Sequence, residues 1–384
     1  MFRGHILWGD MMTVKSAYIH IPFCVKICTY CDFNKYFIQN QPVDAYLQCL
    51  REEIKQSNAS TLETLFVGGG TPTALSVEQL TYLLETIQQQ FKISGEYTFE
   101  ANPDELTAEK VALLKSYGVN RLSLGVQTFD DDLLKTLGRS HQKSDIYQAI
   151  ENARYYDIPS ISLDLMYHLP GQTLKQFQTS LDEALSLNID HLSSYGLILE
   201  PQTQFYNQYR KGKLKLPNED IGAEMYHFLM NRIKKSELHQ YEISNFAKAN
   251  HESAHNKVYW KNESYYGFGA GASGYIDGIR YTNVNPVNHY IKKVNQGLKP
   301  RLSETEPTEQ EQIEEEMFLG LRMNQGVNKD TFQMKYQRRL EDIYSKEILK
   351  LEKQGLIENS PTEIKLTDKG RIVGNEVFEA FIQV

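Results

Sequence analysis

FCVKICTYCDFN, residues 23–34, places three cysteines on one short stretch as Cys24-x3-Cys28-x2-Cys31. Thiolates spaced this closely can converge on one inorganic core, and thiolate ligation is how iron–sulfur clusters are held. Three ligands suit a four-iron cubane with one iron left open to a small molecule, the same logic that keeps a position free in catalytic zinc sites. A structural zinc ion would need a fourth Cys or His in a second knuckle, and no such pair is present. With three of the four cysteines inside eight residues, a disulfide scaffold does not fit either. The fourth, Cys49, stands alone in a helical pattern and reads as a small buried side chain.

The cysteine stretch directly follows a β-rich run, Ala17–Ile21, which opens a regular alternation of strands and helices. Five further strands are expected at Thr64–Val67, Tyr97–Ala101, Arg121–Gln127, Ser160–Met166 and His191–Leu199. Helical patterns fill the gaps. Ser76 with Gln79 and Thr173 with Gln176 form capping-box signatures, and Gly118 sits where a helix should end. Alternation of this kind predicts an α/β fold with a parallel sheet. Six units fall short of the eight that close a TIM barrel, so a partial (β/α)6 TIM-like barrel, open on one side, is expected. Glu100, Gln127 and Asp164 each fall at or near the C-terminal end of a strand, the rim where such folds bind ligands.

The 384 residues exceed one ordinary domain. Residues 1–14 carry no assigned role, and Met11 or Met12 is a candidate start. Residues 15–200 form the barrel. Residues 201–300 begin with a linker-like stretch, Pro201 to Pro217, followed by a helix over Ile221–Lys235 and an aromatic, glycine-rich region. Residues 301–384 hold 17 acidic against 12 basic residues and close on GLIENSPTEIKLTDKG, a hairpin wing, so a winged-helix-like C-terminal module of α+β character is expected. Its charge and the overall net charge of −8 argue against nucleic acid as a partner. No signal peptide and no apolar run long enough to span a bilayer is found, which predicts a cytoplasmic chain. The run Gly269-Ala270-Gly271-Ala272-Ser273-Gly274 matches GxGxxG formally, but its flanks are an aromatic loop and a strand-like IRYTNV, so a structural turn is expected.

The cysteine spacing, with Tyr30 as the aromatic between the second and third ligands, resembles the signature of the radical S-adenosylmethionine (SAM) superfamily. VGGGTPT (67–73) is similar to the loop that meets the amino group of SAM in that superfamily. Together with YIHIPFC, FEANP, LSLGVQTF, LGRSH and SLDLMYHLPGQ, these stretches resemble the family of oxygen-independent coproporphyrinogen III oxidase and its relatives over nearly the whole chain. The resemblance implies a [4Fe-4S] cluster on Cys24, Cys28 and Cys31 and SAM contacts at Tyr18, Tyr30, Gly69, Gly70, Thr71, Glu100, Gln127, Arg139 and Asp164. Carboxylates suit the ribose hydroxyls, and Arg139 suits a carboxylate in bidentate fashion.

Two features separate the chain from the oxidase itself. Phe33 stands where the oxidase carries a further cysteine, and the oxidase has a longer N-terminal extension. Both argue against oxidative decarboxylation and point to the sister group of heme chaperones of the HemW type. AHNKVYW (254–260) is similar to that group's HNxxYW motif. Imidazole is a natural axial ligand of heme iron, and Tyr and Trp offer flat faces to a porphyrin; without the family context, the same residues would read as a loop histidine with two core aromatics. The resemblance implies heme as a second cofactor at His255, Asn256, Tyr259 and Trp260. It also implies delivery to a membrane respiratory protein, with transient membrane association at that step. SAM cleavage remains compatible with these residues; coproporphyrinogen III oxidation is the alternative.

Overall fold

The computed structural model describes residues 14–382, so the N-terminal segment left without a role and its candidate start codons lie almost wholly outside the described residues. Six parallel strands form the centre of the chain: β1 (Ser16–Ile21), β2 (Thr61–Gly69), β3 (Lys92–Ala101), β4 (Arg121–Gln127), β5 (Ser160–Tyr167) and β6 (His191–Gly196). Each pairs with its sequence neighbour in parallel register. This is the expected partial (β/α)6 barrel. Ser76 and Thr173 cap their helices through reciprocal capping boxes, and Gly118 takes a positive φ just past the helix Ala108–Ser116.

Strand residues alternate in character. Ile19, Leu65, Val67, Phe99, Leu122, Leu124, Ile161, Leu163 and Leu192 are fully buried against the surrounding helices. The positions between them, among them Thr64, Thr98, Arg121, Ser162 and His191, are also buried but polar. The strands therefore have an apolar outer face and a hydrogen-bonded lumen, rather than two apolar faces.

The sheet does not end at six strands. Segment 201–300, expected as a region of its own, supplies β7 (His239–Gln240), β8 (Asn245–Ala247) and β9 (Tyr266–Phe268). The full order is β9-β1-β2-β3-β4-β5-β6-β8-β7, with β9 parallel to β1 and β8 antiparallel to β6. The expected strand His191–Leu199 stops at Gly196 because Leu197 turns into a small cluster with Leu133, Leu137, Leu169, Phe205 and Leu214. The same cluster corrects the linker assignment for Pro201 to Pro217. That stretch contains a helix, Gln204–Arg210, and packs on the barrel through Phe205 and Leu214. Residues 269–274 run from β9 into the strand Ser273–Ile276, so no helix follows the GxGxxG match.

Residues from Glu309 onward fold as helix, strand, two helices and two strands, the order of a winged helix, followed by the short helices Asp368–Ile372 and Gly374–Glu379, around a separate core that includes Ile313, Met317, Phe332, Tyr344 and Ile364. The wing is the antiparallel pair Ile357–Asn359 and Glu363–Leu366. Among the described residues no helix is long and apolar enough to cross a membrane.

Candidate cluster and cofactor site

The cysteine loop leaves the C-terminal end of β1 and is tied at its base. Phe23–Cys24 pairs in parallel with Tyr36–Phe37, Tyr36 N–H donates to the Pro22 carbonyl at 2.7 Å, and Ile38 N–H donates to the Cys24 carbonyl at 2.9 Å. Its tip is held from outside, because Thr29 N–H donates to the Leu137 carbonyl (3.1 Å) and the Thr29 carbonyl accepts from Phe205 N–H (3.0 Å). Cys24 is buried and Cys28 and Cys31 are half-buried; all three are free thiols. They lie near enough that Cys28 and Cys31 both raise the Cys24 thiol pKa and Cys28 raises that of Cys31. Burial is the main cause at Cys24, whose thiol is pushed up to about 12 although the Thr71 hydroxyl, 3.8 Å from the sulfur, works the other way. Arg139 donates from Nη1 to Cys28 Sγ at 3.2 Å, and the Lys35 ammonium donates to the Cys31 carbonyl. Among the described residues no three Cys, His, Asp or Glu groups converge as a single ion would require; a multi-iron cluster would not need the three thiolates to meet at one metal. Cys49 packs away from this loop, its sulfur 3.5 Å from Asn295 Oδ1.

Beneath the cysteines lies the glycine turn at the end of β2. Gly70 N–H and Thr71 N–H each donate at 2.8 Å, to the carbonyls of Ile21 and Phe23. A side chain on Gly70 would place its Cβ 2.7 Å from the Phe23 carbonyl oxygen, and Gly69 holds φ of +113°, so only glycine lets these two segments meet. Gly69 N–H also donates to Glu100 Oε2 at 2.9 Å.

The polar strand ends do converge. Burial raises the Glu100 carboxyl to about 7 and the Asp164 carboxyl to about 6; the Gly69 N–H opposes this at Glu100, and the Ser193 and Ser123 hydroxyls oppose it at Asp164. Gln127 closes β4 in a left-handed conformation (φ +67°) and accepts from Tyr195 Oη at 3.4 Å. A non-glycine residue there costs of order 1 kcal/mol, a strain typical of ligand sites. Arg139 reaches in from outside the strands, donating to Asn102 Oδ1 (2.5 Å) and the Gly125 carbonyl (2.7 Å), while its buried Nε has no partner among the described residues. Tyr30 packs with the cluster around Phe205. Tyr18 Oη bonds His20 Nδ1 at 2.9 Å, and His20 Nε2 meets the Asn34 carbonyl at 2.8 Å. A carbonyl only accepts, so Nε2 carries the proton, and burial keeps the ring neutral by lowering its pKa to about 4. His20 thus ties Tyr18 to the cysteine loop, a role its place in the sequence did not disclose.

The AHNKVYW segment is not beside the cysteines. It forms the helix Ala254–Trp260 at the opposite, N-terminal end of the strands, alongside Thr64. From Thr64 to Gly69 is roughly 16 Å along β2. Glu96 on β3 accepts from Ser253 Oγ (3.2 Å), Ala254 N–H (2.8 Å) and His255 N–H (3.1 Å). His255 is fully buried with both ring nitrogens engaged, Nδ1 with Thr64 Oγ1 (2.9 Å) and Nε2 with Tyr259 Oη (2.8 Å), and burial lowers its pKa to about 3. Asn256 N–H takes the helix cap from Ser253. Trp260 faces the C-terminal module, with the Arg322 guanidinium 4.6 Å from its ring centre and its own buried Nε1 without a partner among the described residues. Around this helix Arg121 donates to the His251 carbonyl and Ser160 Oγ, and His191 bridges Ser162 Oγ and Tyr241 Oη. These groups form a floor to the lumen. Sequence reasoning missed Glu96, Arg121 and His191, although polar residues at every second strand position were the available signal.

Residues 18–184 match the family model of the Radical SAM superfamily, and residues 308–373 match that of the HemN C-terminal domain. Over 376 residues, 96% of this chain and 99% of the relative, the sequence is 53% identical to heme chaperone HemW of Bacillus subtilis. The chain belongs to the HemW family of radical SAM proteins. A second HemW, from Lactococcus lactis, is 45% identical across 96% of this chain and 97% of its own. The fold is also similar to that of coproporphyrinogen III oxidase (HemN) from Escherichia coli, a radical SAM enzyme, with a TM-score of 0.85 at 25% identity over 96% of this chain and 90% of that one. Membership in the radical SAM superfamily implies a [4Fe-4S] cluster and SAM. The three free thiols, the glycine turn and the unpartnered Arg139 Nε fit those groups. Phe33 is 64% exposed and takes no part in the core.

Proposed function

We propose that this HemW-family protein holds its cluster on Cys24, Cys28 and Cys31, binds SAM across the strand ends, and carries heme to a membrane respiratory acceptor. The observation that carries this reading is the 53% identity to a heme chaperone along essentially the whole of both chains. When bound, a cluster of this kind supplies the electron that cleaves the SAM sulfonium. The protein's part is binding and orientation. Arg139 would take the SAM carboxylate, Gly69, Gly70 and Thr71 the amino end, Glu100 and Asp164 the ribose hydroxyls, with Tyr18, Tyr30 and Gln127 completing the walls.

The two carboxyls give this arrangement a pH signature. Both titrate above their unfolded values, so their contribution to stability is present in acid and lost as pH rises through about 6 to 7. A ligand that donates hydrogen bonds to the ionised forms gains over the same interval. SAM affinity, measured anaerobically by calorimetry, is therefore expected to strengthen roughly tenfold between pH 6 and pH 7. In Glu100→Gln the dependence should be shallower. A dissociation constant that is flat from pH 5.5 to 8 would remove the two carboxyls from the site.

This reading assigns heme to His255, Asn256, Tyr259 and Trp260. The neutral imidazole has one lone pair, and the hydroxyls of Thr64 and Tyr259 occupy both ring nitrogens. Ligation through Nε2 would first have to displace the Tyr259 hydroxyl. In anaerobic heme titrations His255→Ala is expected to lose stable uptake, whereas Tyr259→Phe should retain it. Unchanged affinity in His255→Ala would move the site elsewhere. The structural similarity to HemN keeps one enzymatic alternative open, oxidation of coproporphyrinogen III. Its conversion by the reconstituted protein with SAM and a reductant would overturn the chaperone reading.

A further inference from the structure

Between Glu200 and Glu219 the acidic chain carries no acidic residue and four basic ones, Arg210, Lys211, Lys213 and Lys215. All four are exposed, and none makes an ion pair or side-chain hydrogen bond with a described residue. Tyr209, directly before Arg210, adds an apolar side chain that is 52% exposed. The strip is held in shape. Gly212 N–H donates to the Tyr209 carbonyl and Lys213 N–H to the Gln208 carbonyl, both at 2.9 Å, and Leu214 anchors the return. It is also fixed to the cysteine loop, because Phe205 N–H bonds the carbonyl of Thr29, the residue after Cys28, and Phe205 packs in the same cluster as Tyr30.

We propose that this strip docks an acidic, low-potential, one-electron donor protein beside the cluster loop, a proposal that rests on the cluster assignment above. Reductive cleavage of SAM needs an electron from outside the chain. One electron leaves the donor's cofactor, which is oxidised, and reduces the cluster; no covalent bond forms or breaks. Four uncompensated cations on an otherwise acidic surface steer an acidic partner to this place and away from the rest of the molecule. A short basic strip with few exposed apolar side chains suits the weak, compact interfaces of redox encounters. An anionic membrane would meet the same charges, but the strip offers it few apolar side chains to insert, and its attachment next to Cys28 favours the redox partner.

The test uses anaerobically reconstituted protein, wild type and the quadruple variant R210E/K211E/K213E/K215E, with photoreduced flavodoxin as the acidic donor. Bleaching of the cluster absorbance is followed in stopped flow, and flavodoxin affinity is measured by calorimetry at several salt concentrations. The variant is expected to be reduced at least tenfold more slowly and to lose the salt dependence of both rate and affinity, while excess dithionite bleaches both proteins fully. A quadruple glutamine variant should show the same direction with a smaller effect, which separates charge from misfolding. Equal rates and salt slopes overturn the proposal. So does loss of sedimentation with phosphatidylglycerol vesicles when flavodoxin reduction is unchanged, which assigns the strip to membranes. Calorimetry decides the surface even if no cluster assembles, so failure of the cluster assignment and failure of this one are distinguishable.

Discussion

Alanine in place of Cys24, Cys28 or Cys31 is expected to leave the protein with iron near background after anaerobic reconstitution, and without the brown absorbance of the wild type. On the proposed assignment each thiolate would be the sole protein ligand of its iron, and two remaining ligands would hold a cubane poorly. The three positions should nevertheless differ in stability. Cys24 is buried beneath the Thr71 hydroxyl, and its removal leaves a small cavity. Cys28 and Cys31 are half-buried, so alanine there should cost little folding free energy while removing the cluster just as fully. Cys49→Ala supplies the control. Its thiol lies between the helices Val43–Lys55 and Val287–Asn295, and iron content should be unchanged. Full iron in any of the three loop variants would end the cluster assignment.

The second large effect is expected at Glu96, at the far end of the lumen. Its carboxylate is the acceptor for Ser253 Oγ and the backbone N–H groups of Ala254 and His255. Ser253 and His255 are buried, so Glu96→Ala would strand their donors without water to replace the lost partner. Unpaired buried donors cost about 1–3 kcal/mol each, partly recovered by relaxation, giving a loss of about 2–4 kcal/mol in Glu96→Ala. For a chain of this size the unfolding midpoint should fall by roughly 2–5 °C. Glu96→Gln keeps one acceptor oxygen and should lie between. Calorimetry on all three proteins checks the order; an alanine variant as stable as wild type would mean that the motif helix is held by packing alone.

The barrel was legible because β1 to β6 and their intervening helices are written in local periodicity and capping residues such as Ser76 and Thr173. The rim was legible because Glu100, Gln127 and Asp164 fall at strand ends, where the fold itself brings them together. The floor was not. His255, Glu96 and Thr64 meet only through contacts between residues more than thirty positions apart, and nothing local in AHNKVYW says that its histidine points into a lumen. The flanking strands β8 and β9 are three residues each, too short to show a period of two. The strip after Pro201 was mistaken for a linker because its anchors, Phe205 and Leu214, are isolated apolar residues in a polar stretch.

A fragment stopping at residue 200 would keep every cysteine and carboxylate of the rim and still be a poor protein. Without Tyr266–Phe268 and Asn245–Ala247, the backbone of β1 and of β6 would be left as bare edges able to recruit other chains. Arg121 and His191 would lose partners contributed by His251 and Tyr241 and open the lumen to water from below. The later half of the chain is the stopper and the selvedge of the earlier half, and neither can be shortened toward the other without unravelling both.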